Sequence, residues 1–193
     1  MAALAEQLGI SPEDYLSGER DAPFRHEYVH GQVYAMAGAA DGHVRVSGNV
    51  FALLKNYLRG SGCSVYMADM KVRVKQDTAF FYPDVMVTCD PADLQRNHFK
   101  QSPCLVIEVL SPRTEAYDRG NKFALYRELE SLQEYVLIDP RTYQVDVFRR
   151  NAHGRWELFA FSGETATVVF ASVGCECAMS DLYEDVNFAL EAE

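Results

Sequence analysis

Three residues have the types and surroundings to do chemistry on a charged substrate. They are Asp84 in Tyr82-Pro83-Asp84-Val85-Met86-Val87, Glu108 in Cys104-Leu105-Val106-Ile107-Glu108-Val109-Leu110, and Lys122 in Asp118-Arg119-Gly120-Asn121-Lys122. Both acids stand in runs that otherwise read as buried β-strands, where an unpaired carboxylate is costly, so each needs a compensating partner. Glu108 lies 24 residues after Asp84 (108 − 84), and on adjacent strands the two carboxylates would meet within a few ångströms. Acids that close do not both stay ionised in a dry site without a cation. Hard oxygen ligands suit Mg²⁺ or Mn²⁺, ions that keep several waters and bind substrate phosphates. Such an ion activates water and stabilises the charge that develops on a phosphodiester. Lys122 is the candidate cation over the attacking water. The helix after the Glu108 strand packs back on the sheet, and Asp118, Lys122 and Tyr126, four apart, line one face of it.

Each of the three has a plainer use. An Asp118–Lys122 surface pair, worth a few tenths of a kcal/mol, explains the lysine equally well from spacing alone. Asp84 beside Pro83 fits a turn or capping acid. Glu108 is harder to explain this way, because an acid between Ile107 and Val109 requires a specific partner.

The elements that must position these residues follow from pattern. Ser11-Pro12-Glu13-Asp14 combines an N-cap serine, proline at the first helical position and early acids, so a short helix starts there. Residues 25–29 and 32–36 flank His30-Gly31 as a tight hairpin. Between residues 41 and 59, Val50, Phe51, Leu54, Tyr57 and Leu58 recur at helical spacing, and Gly60 stops the helix. Strand-like stretches follow at 63–68, 71–75 and 84–88, then a loop over 90–102 with a helical turn near Asp93. Residues 105–110 read as a second apolar strand, 120–130 as a helix, and 135–138 as a buried strand ended by Asp139-Pro140. Residues 145–149 pair with 156–161 across Asn151-Ala152-His153-Gly154. This order predicts an α/β or α+β fold, a mixed sheet flanked by helices.

At 193 residues and 48% hydrophobic content the chain can bury one sizeable core, and one domain over 1–193 is expected. Its longest apolar runs, such as Phe51-Ala52-Leu53-Leu54, fall far short of the roughly 20 residues of a membrane span. Residues 1–6 lack the basic and apolar regions of a secretory leader. A cytoplasmic protein with no membrane partner is the expectation. The five cysteines are odd in number, and Cys63, Cys89 and Cys104 lie in apolar, strand-like surroundings, so free thiols are expected rather than a disulfide framework. Cys175-Glu176-Cys177 lacks the second pair that a four-ligand soft-metal site needs. A net charge of −10 opposes broad charge-driven binding to nucleic acid but permits a local basic groove. Lys71, Arg73 and Lys75 would share one strand face, and Arg45, Lys55 and Arg59 lie along one helix; ordinary solvated charge is the simpler reading of both groups.

These residues also carry a resemblance. Tyr82-Pro83-Asp84-Val85, Ile107-Glu108-Val109-Leu110-Ser111-Pro112, Tyr117-Asp118-Arg119-Gly120-Asn121-Lys122-Phe123-Ala124-Leu125-Tyr126 and Glu134-Tyr135-Val136-Leu137 resemble the Uma-two family of endonucleases, within the restriction-endonuclease-like PD-(D/E)XK superfamily. The similarity extends from residues 25–38 to residues 173–176. It implies that the sheet and helices, with the N-terminal and C-terminal hairpins read above, form a nuclease core, with Asp84 and Glu108 as ligands of Mg²⁺ or Mn²⁺ and Lys122 as the catalytic lysine. The superfamily's simplest signature has its lysine two residues after the acid, where this chain has Leu110; in the family resembled it is displaced to the next helix, and Lys122 matches that place. Nucleases similar to this one often add an N-terminal acid, here Glu27, for which a surface salt bridge is the alternative. His43 is a candidate for phosphate contact or proton donation, against a capping or surface role. Ser111 and Tyr126 are candidates for positioning water or the lysine, and Asp69 is a weaker one that fits a turn.

The function expected is metal-dependent hydrolysis of a nucleic-acid backbone, DNA by preference, by an endonuclease that could work as a homodimer. The alternative is a non-catalytic nucleic-acid- or protein-binding module on the same fold. No nucleotide-binding glycine loop or nucleophile motif supports a small-molecule enzyme.

Overall fold

The computed structural model describes residues 9–190; residues 1–6, read above for a leader, lie outside them. The chain opens with α1 (Pro12–Gly18), where the Ser11 hydroxyl accepts from the Asp14 amide and proline occupies the first turn. The hairpin β1 (His26–Val29) and β2 (Gln32–Ala35) follows. Its two-residue turn holds His30 and Gly31 at φ 48° and 85°, the left-handed pair that matches strand twist. α2 (Asp41–Tyr57) buries Val46, Val50 and Leu54 on one face.

Then come β3 (Ser64–Met67), β4 (Lys71–Arg73), β5 (Ala79–Phe81), β6 (Val85–Thr88), α3 (Pro91–Leu94), β7 (Phe99–Lys100) and β8 (Pro103–Val109). α4 (Glu115–Tyr117) runs through a π-helical turn over Asp118–Lys122 into α5 (Phe123–Tyr126). β9 (Glu134–Asp139), the hairpin β10 (Gln144–Arg150) and β11 (Trp156–Ser162), a second hairpin β12 (Thr167–Phe170) and β13 (Cys175–Ala178), and α6 (Met179–Leu182) complete it.

The fold is α+β, strands flanked by helices, as expected, with the strands divided among three sheets. A six-stranded sheet has the order β11-β10-β9-β8-β6-β3, with β8 and β9 parallel and the other neighbours antiparallel. A five-stranded sheet has the order β2-β1-β5-β4-β7, and β12-β13 stand apart. The division comes from β5 and β7, of three and two residues, which pair with β1 and β4 rather than with the long strands and are too short to leave a periodic signal of their own.

Alternation along β8 sends Leu105, Ile107 and Val109 into the core with Val46, Val50 and Leu54 of α2. Val106 and Glu108 face the other way, and Val106 joins a core with Val72 and Phe81 of the five-stranded sheet and Phe123, Tyr126 and Tyr135. Glu108 therefore looks into the space between the two large sheets.

Two expectations need correction. The helix expected over 120–130 begins earlier and ends at Tyr126, because the π turn widens its start. Cys63 and Cys89 are joined in a disulfide rather than free, leaving Cys104, Cys175 and Cys177 as thiols. The antiparallel register pairs Ser64 with Thr88, so the next pair outward sets Cys63 against Cys89, with Cα atoms 4.1 Å apart. Among the described residues no helix is long and apolar enough to cross a membrane.

Candidate active site

The two large sheets meet at Tyr82-Pro83-Asp84, where the chain leaves β5 and enters β6. Asp84 sits at this corner, and its Oδ2 accepts a 2.7 Å hydrogen bond from the Val109 amide on neighbouring β8. The first turn of α2 brings His43 Nε2 to 3.3 Å from the same oxygen. Glu27, from β1, faces the gap and accepts from the Tyr82 amide at 3.4 Å.

Lys122 closes the cluster. Its ammonium is 2.9 Å from Glu108 Oε1, 3.0 Å from Glu27 Oε1 and 3.7 Å from Asp118 Oδ1. The π turn makes this reach possible: a widened turn carries Asp118 and Lys122 inward together, both buried, while Tyr126 one turn on donates to Glu108 Oε1 at 3.2 Å. The Tyr135 hydroxyl fixes the turn from below by donating to the Asp118 carbonyl at 3.0 Å. Side-chain exposure grades across the site, from 5% at Glu108 and 7% at Lys122 to 18% at His43 and 21% at Asp84. A substrate would therefore approach from the Asp84 and His43 side.

The charges are unbalanced. Four carboxylates (Glu27, Asp84, Glu108 and Asp118) face one ammonium. Burial, reinforced by Asp118, Asp84 and Glu27, pushes Glu108 well above the usual carboxylate range despite Lys122. Asp118 rises for the same first reason, burial, with Lys122 again opposing. Burial alone would lower Lys122, but Glu108 and Glu27 outweigh it and hold the ammonium charged. For His43, burial lowers basicity and the Asp84 hydrogen bond raises it, with a net upward shift. Burial and then the Glu108 charge keep the Tyr126 phenol protonated as a donor.

Could these residues hold a metal? Among the described residues no three His, Cys, Asp or Glu side chains converge as a ready-made cage. Mg²⁺ does not require one, since it binds through one or two carboxylates and keeps its waters. Asp84 and Glu108 offer hard oxygen, with the His43 nitrogen at 3.3 Å from Asp84 Oδ2, and the excess of carboxylates calls for a cation, so chemistry and charge fit such an ion.

Of the residues singled out in the sequence, Asp84, Glu108, Lys122, Glu27, His43 and Tyr126 are brought together. Ser111 is not. Its hydroxyl lies 3.0 Å from Thr114 Oγ1 and accepts from the Thr114 amide, capping the turn into α4. Asp69 pairs with Arg25 on the surface at 3.1 Å. Asp118, read as half of a surface pair, is a buried member of the cluster, and its four-residue spacing from Lys122 was the signal. Lys71, grouped with solvated charges, is buried, whereas Arg73 pairs with Asp77 and Arg45 with Asp41.

Acids offered by adjoining strands, with a lysine delivered by the following helical segment between two sheets, define a restriction-endonuclease-like nuclease fold. The chain belongs to the Uma2 family, described as "Putative restriction endonuclease", whose model matches residues 12–180. Among relatives, the Uncharacterized protein slr1290 of Synechocystis sp. (strain ATCC 27184 / PCC 6803 / Kazusa) is 37% identical over 93% of this chain and 94% of its own. The Uncharacterized protein sll1609 of the same strain is 30% identical over 89% of this chain and 98% of its own. The crystal structure of "a putative nuclease belonging to DUF820" from Anabaena variabilis ATCC 29413 superposes with a TM-score of 0.72 at 18% identity, covering 90% of this chain and 97% of that one, a likeness of fold.

Proposed function

We propose that this protein is a Mg²⁺- or Mn²⁺-dependent endonuclease that hydrolyses the DNA backbone. The observation that carries the reading is the Lys122 ammonium between Glu108 (2.9 Å) and Glu27 (3.0 Å) at the corner that presents Asp84. Asp84 and Glu108 would hold the ion, which when bound supplies a water of lowered pKa and charge for the phosphate oxygens. Because its neighbours keep Lys122 protonated, the lysine acts as a cation and hydrogen-bond donor, not as a base. Glu27 and Asp118 aim it, and Tyr126 orients the Glu108 carboxylate. His43, on the exposed side, is placed to meet a phosphate or give a proton to the leaving oxygen. With this reading go a cytoplasmic site of action, a single domain and a homodimer that would set one centre on each strand.

The test is cleavage of supercoiled plasmid with Mn²⁺, with Mg²⁺ and with chelator, for wild type and for Asp84→Ala, Glu108→Ala and Lys122→Ala. Each variant should lose about 100-fold or more of the activity, the usual cost of one transition-state charge partner. Metal-dependent cleavage that survives all three substitutions would overturn the assignment.

The net charge of −10 favours a second reading, a non-catalytic binding module on the same fold. Calorimetry with Mn²⁺ separates the two. Absence of binding, or binding indifferent to Asp84→Ala, supports the module.

A further inference from the structure

On the opposite face of the five-stranded sheet from the carboxylate–lysine cluster lies a second polar centre. Val72 of β4 points into the core with Phe81 and Tyr126, so its neighbour Lys71 points the other way, towards the space under α1. Lys71 is 8% exposed, and its ammonium makes one hydrogen bond among the described residues, 3.1 Å from the Tyr82 hydroxyl, while lying 5.1 Å from the centroid of that ring. A buried ammonium has three donors, and here a neutral oxygen meets one.

The nearby acids are already occupied. Glu19 Oε1 accepts from the Tyr82 hydroxyl (2.9 Å) and the His26 amide (2.8 Å), and its Oε2 lies 3.0 Å from His26 Nδ1. Asp69 is held by Arg25 at 3.1 Å. Burial depresses Lys71 below its ordinary range, with Glu19 opposing and Arg25 and Arg20 adding to the fall. Lys71 lines a cavity of about 320 Å³ whose wall also includes Arg20, Arg25, Asn97, His98 and Phe99, together with the occupied acids Glu19 and Asp69. Ligand pockets begin at about 300 Å³, more than a bare oxyanion fills.

We propose that this cavity binds a nucleotide through its phosphomonoester, free or at the end of a strand, with the phosphate on Lys71 and Arg20 and the nucleoside along Phe99, Asn97 and His98. A phosphate supplies the charge and acceptor oxygens that Lys71 lacks. Phe99 supplies an apolar wall, and Asn97 and His98 supply groups that can bond a base or sugar edge. The site lies close to the cluster of four acids in the chain, since Tyr82 is two residues from Asp84 and His26 is next to Glu27. It does not depend on that cluster being catalytic.

Calorimetry in chelator at fixed ionic strength tests this with deoxyadenosine 5′-monophosphate, deoxyadenosine and inorganic phosphate. The nucleotide should bind at least about 10-fold more tightly than either fragment, a difference of about 1.4 kcal/mol. Lys71→Met, which keeps the packing of the stem, should weaken it by about 10-fold or more, exposed Arg20→Ala should weaken it measurably, and Asp84→Asn should leave it unchanged. Should Lys71→Met fail to fold, protection of Lys71 from amine acylation by the nucleotide, read by peptide mass spectrometry on wild type, gives the same answer. Equal binding of nucleotide and nucleoside, inorganic phosphate binding as tightly as nucleotide, no binding at millimolar nucleotide, or an unprotected Lys71 would each overturn the proposal. A 5′-phosphorylated oligonucleotide that competes, where its 5′-hydroxyl counterpart does not, identifies the strand end as the source; failure of both to compete identifies the free nucleotide.

Discussion

A lysine held between Glu108 and Glu27 balances acids that the fold has taken out of water, so its removal should cost stability as well as activity. Lys122→Met leaves Glu108 and Asp118 buried without their cation, and breaking such a pair costs about 3–5 kcal/mol. Lys122→Met/Glu108→Gln removes charge of both signs and should recover a substantial part of the loss. Urea denaturation at neutral pH measures both, and a single variant as stable as wild type would mean that the cluster carries no such burden. The sequence argument that selected Glu108 was sound but not selective. Glu134 also stands in an apolar strand and is fully buried, yet it is spent on Arg149 and on the Ala171 and Ser172 amides. Asp93 is likewise spent on Thr88, Gln101, Ser102 and Arg96. The cost of burial says that an acid has a partner. Strand parity and neighbours in space say which partner, and one run of sequence contains neither.

The element on which the site depends is the passage from β8 to α5, whose π turn turns Asp118 and Lys122 inward. Its entry is anchored by Arg141, which reaches Glu115 of α4 at 2.8 Å and Asp139 at the end of β9 at 2.7 Å. The Arg141 hydrogen bond, then that of Arg119, lowers Glu115 below 4.5; Asp139 is raised by burial but lowered further by Arg141, ending below 3.8. Depressed acids contribute stability that is present above their unfolded values and lost as pH falls through the folded ones. The part of the urea stability that depends on Arg141, wild type minus Arg141→Ala, should therefore hold from neutrality to about pH 5 and shrink below about pH 4.5, while the raised Glu108 and Asp118 act in the opposite sense in both proteins. Arg141→Ala should be less stable at neutral pH and show a shallower acid decline, and an unchanged acid limb would remove this clamp from the account. Long elements were legible: α2, β8, β9 and the β10–β11 hairpin follow their apolar spacing. The strands β5 and β7, of three and two residues, owe their existence to β1 and β4, and the short hairpin β12–β13 carries too few residues for its alternation to stand out.

Across the whole molecule, one corner at Tyr82-Pro83-Asp84 joins the two large sheets, and the six-stranded sheet is stapled at the other end of β6. Asp84 precedes that strand and Cys89 follows it, so the disulfide to Cys63 locks β3 to β6 away from the acids. Closing a loop with a separation of 26 residues restricts the unfolded chain by about 3.5 kcal/mol on the chain-entropy account. A single Cys63→Ser variant is a poor probe, because it frees Cys89 with its sulfur 3.8 Å from the Cys104 thiol, close enough to re-pair. Cys63→Ser/Cys89→Ser removes both routes. Its urea midpoint should drop relative to oxidised wild type and match wild type in reductant, while plasmid cleavage per folded molecule stays the same, since neither cysteine touches Asp84, Glu108 or Lys122. Loss of cleavage at undiminished stability would instead tie the staple to the geometry of the acidic cluster, and an oxidised midpoint equal to the reduced one would show that the bond adds nothing to the fold.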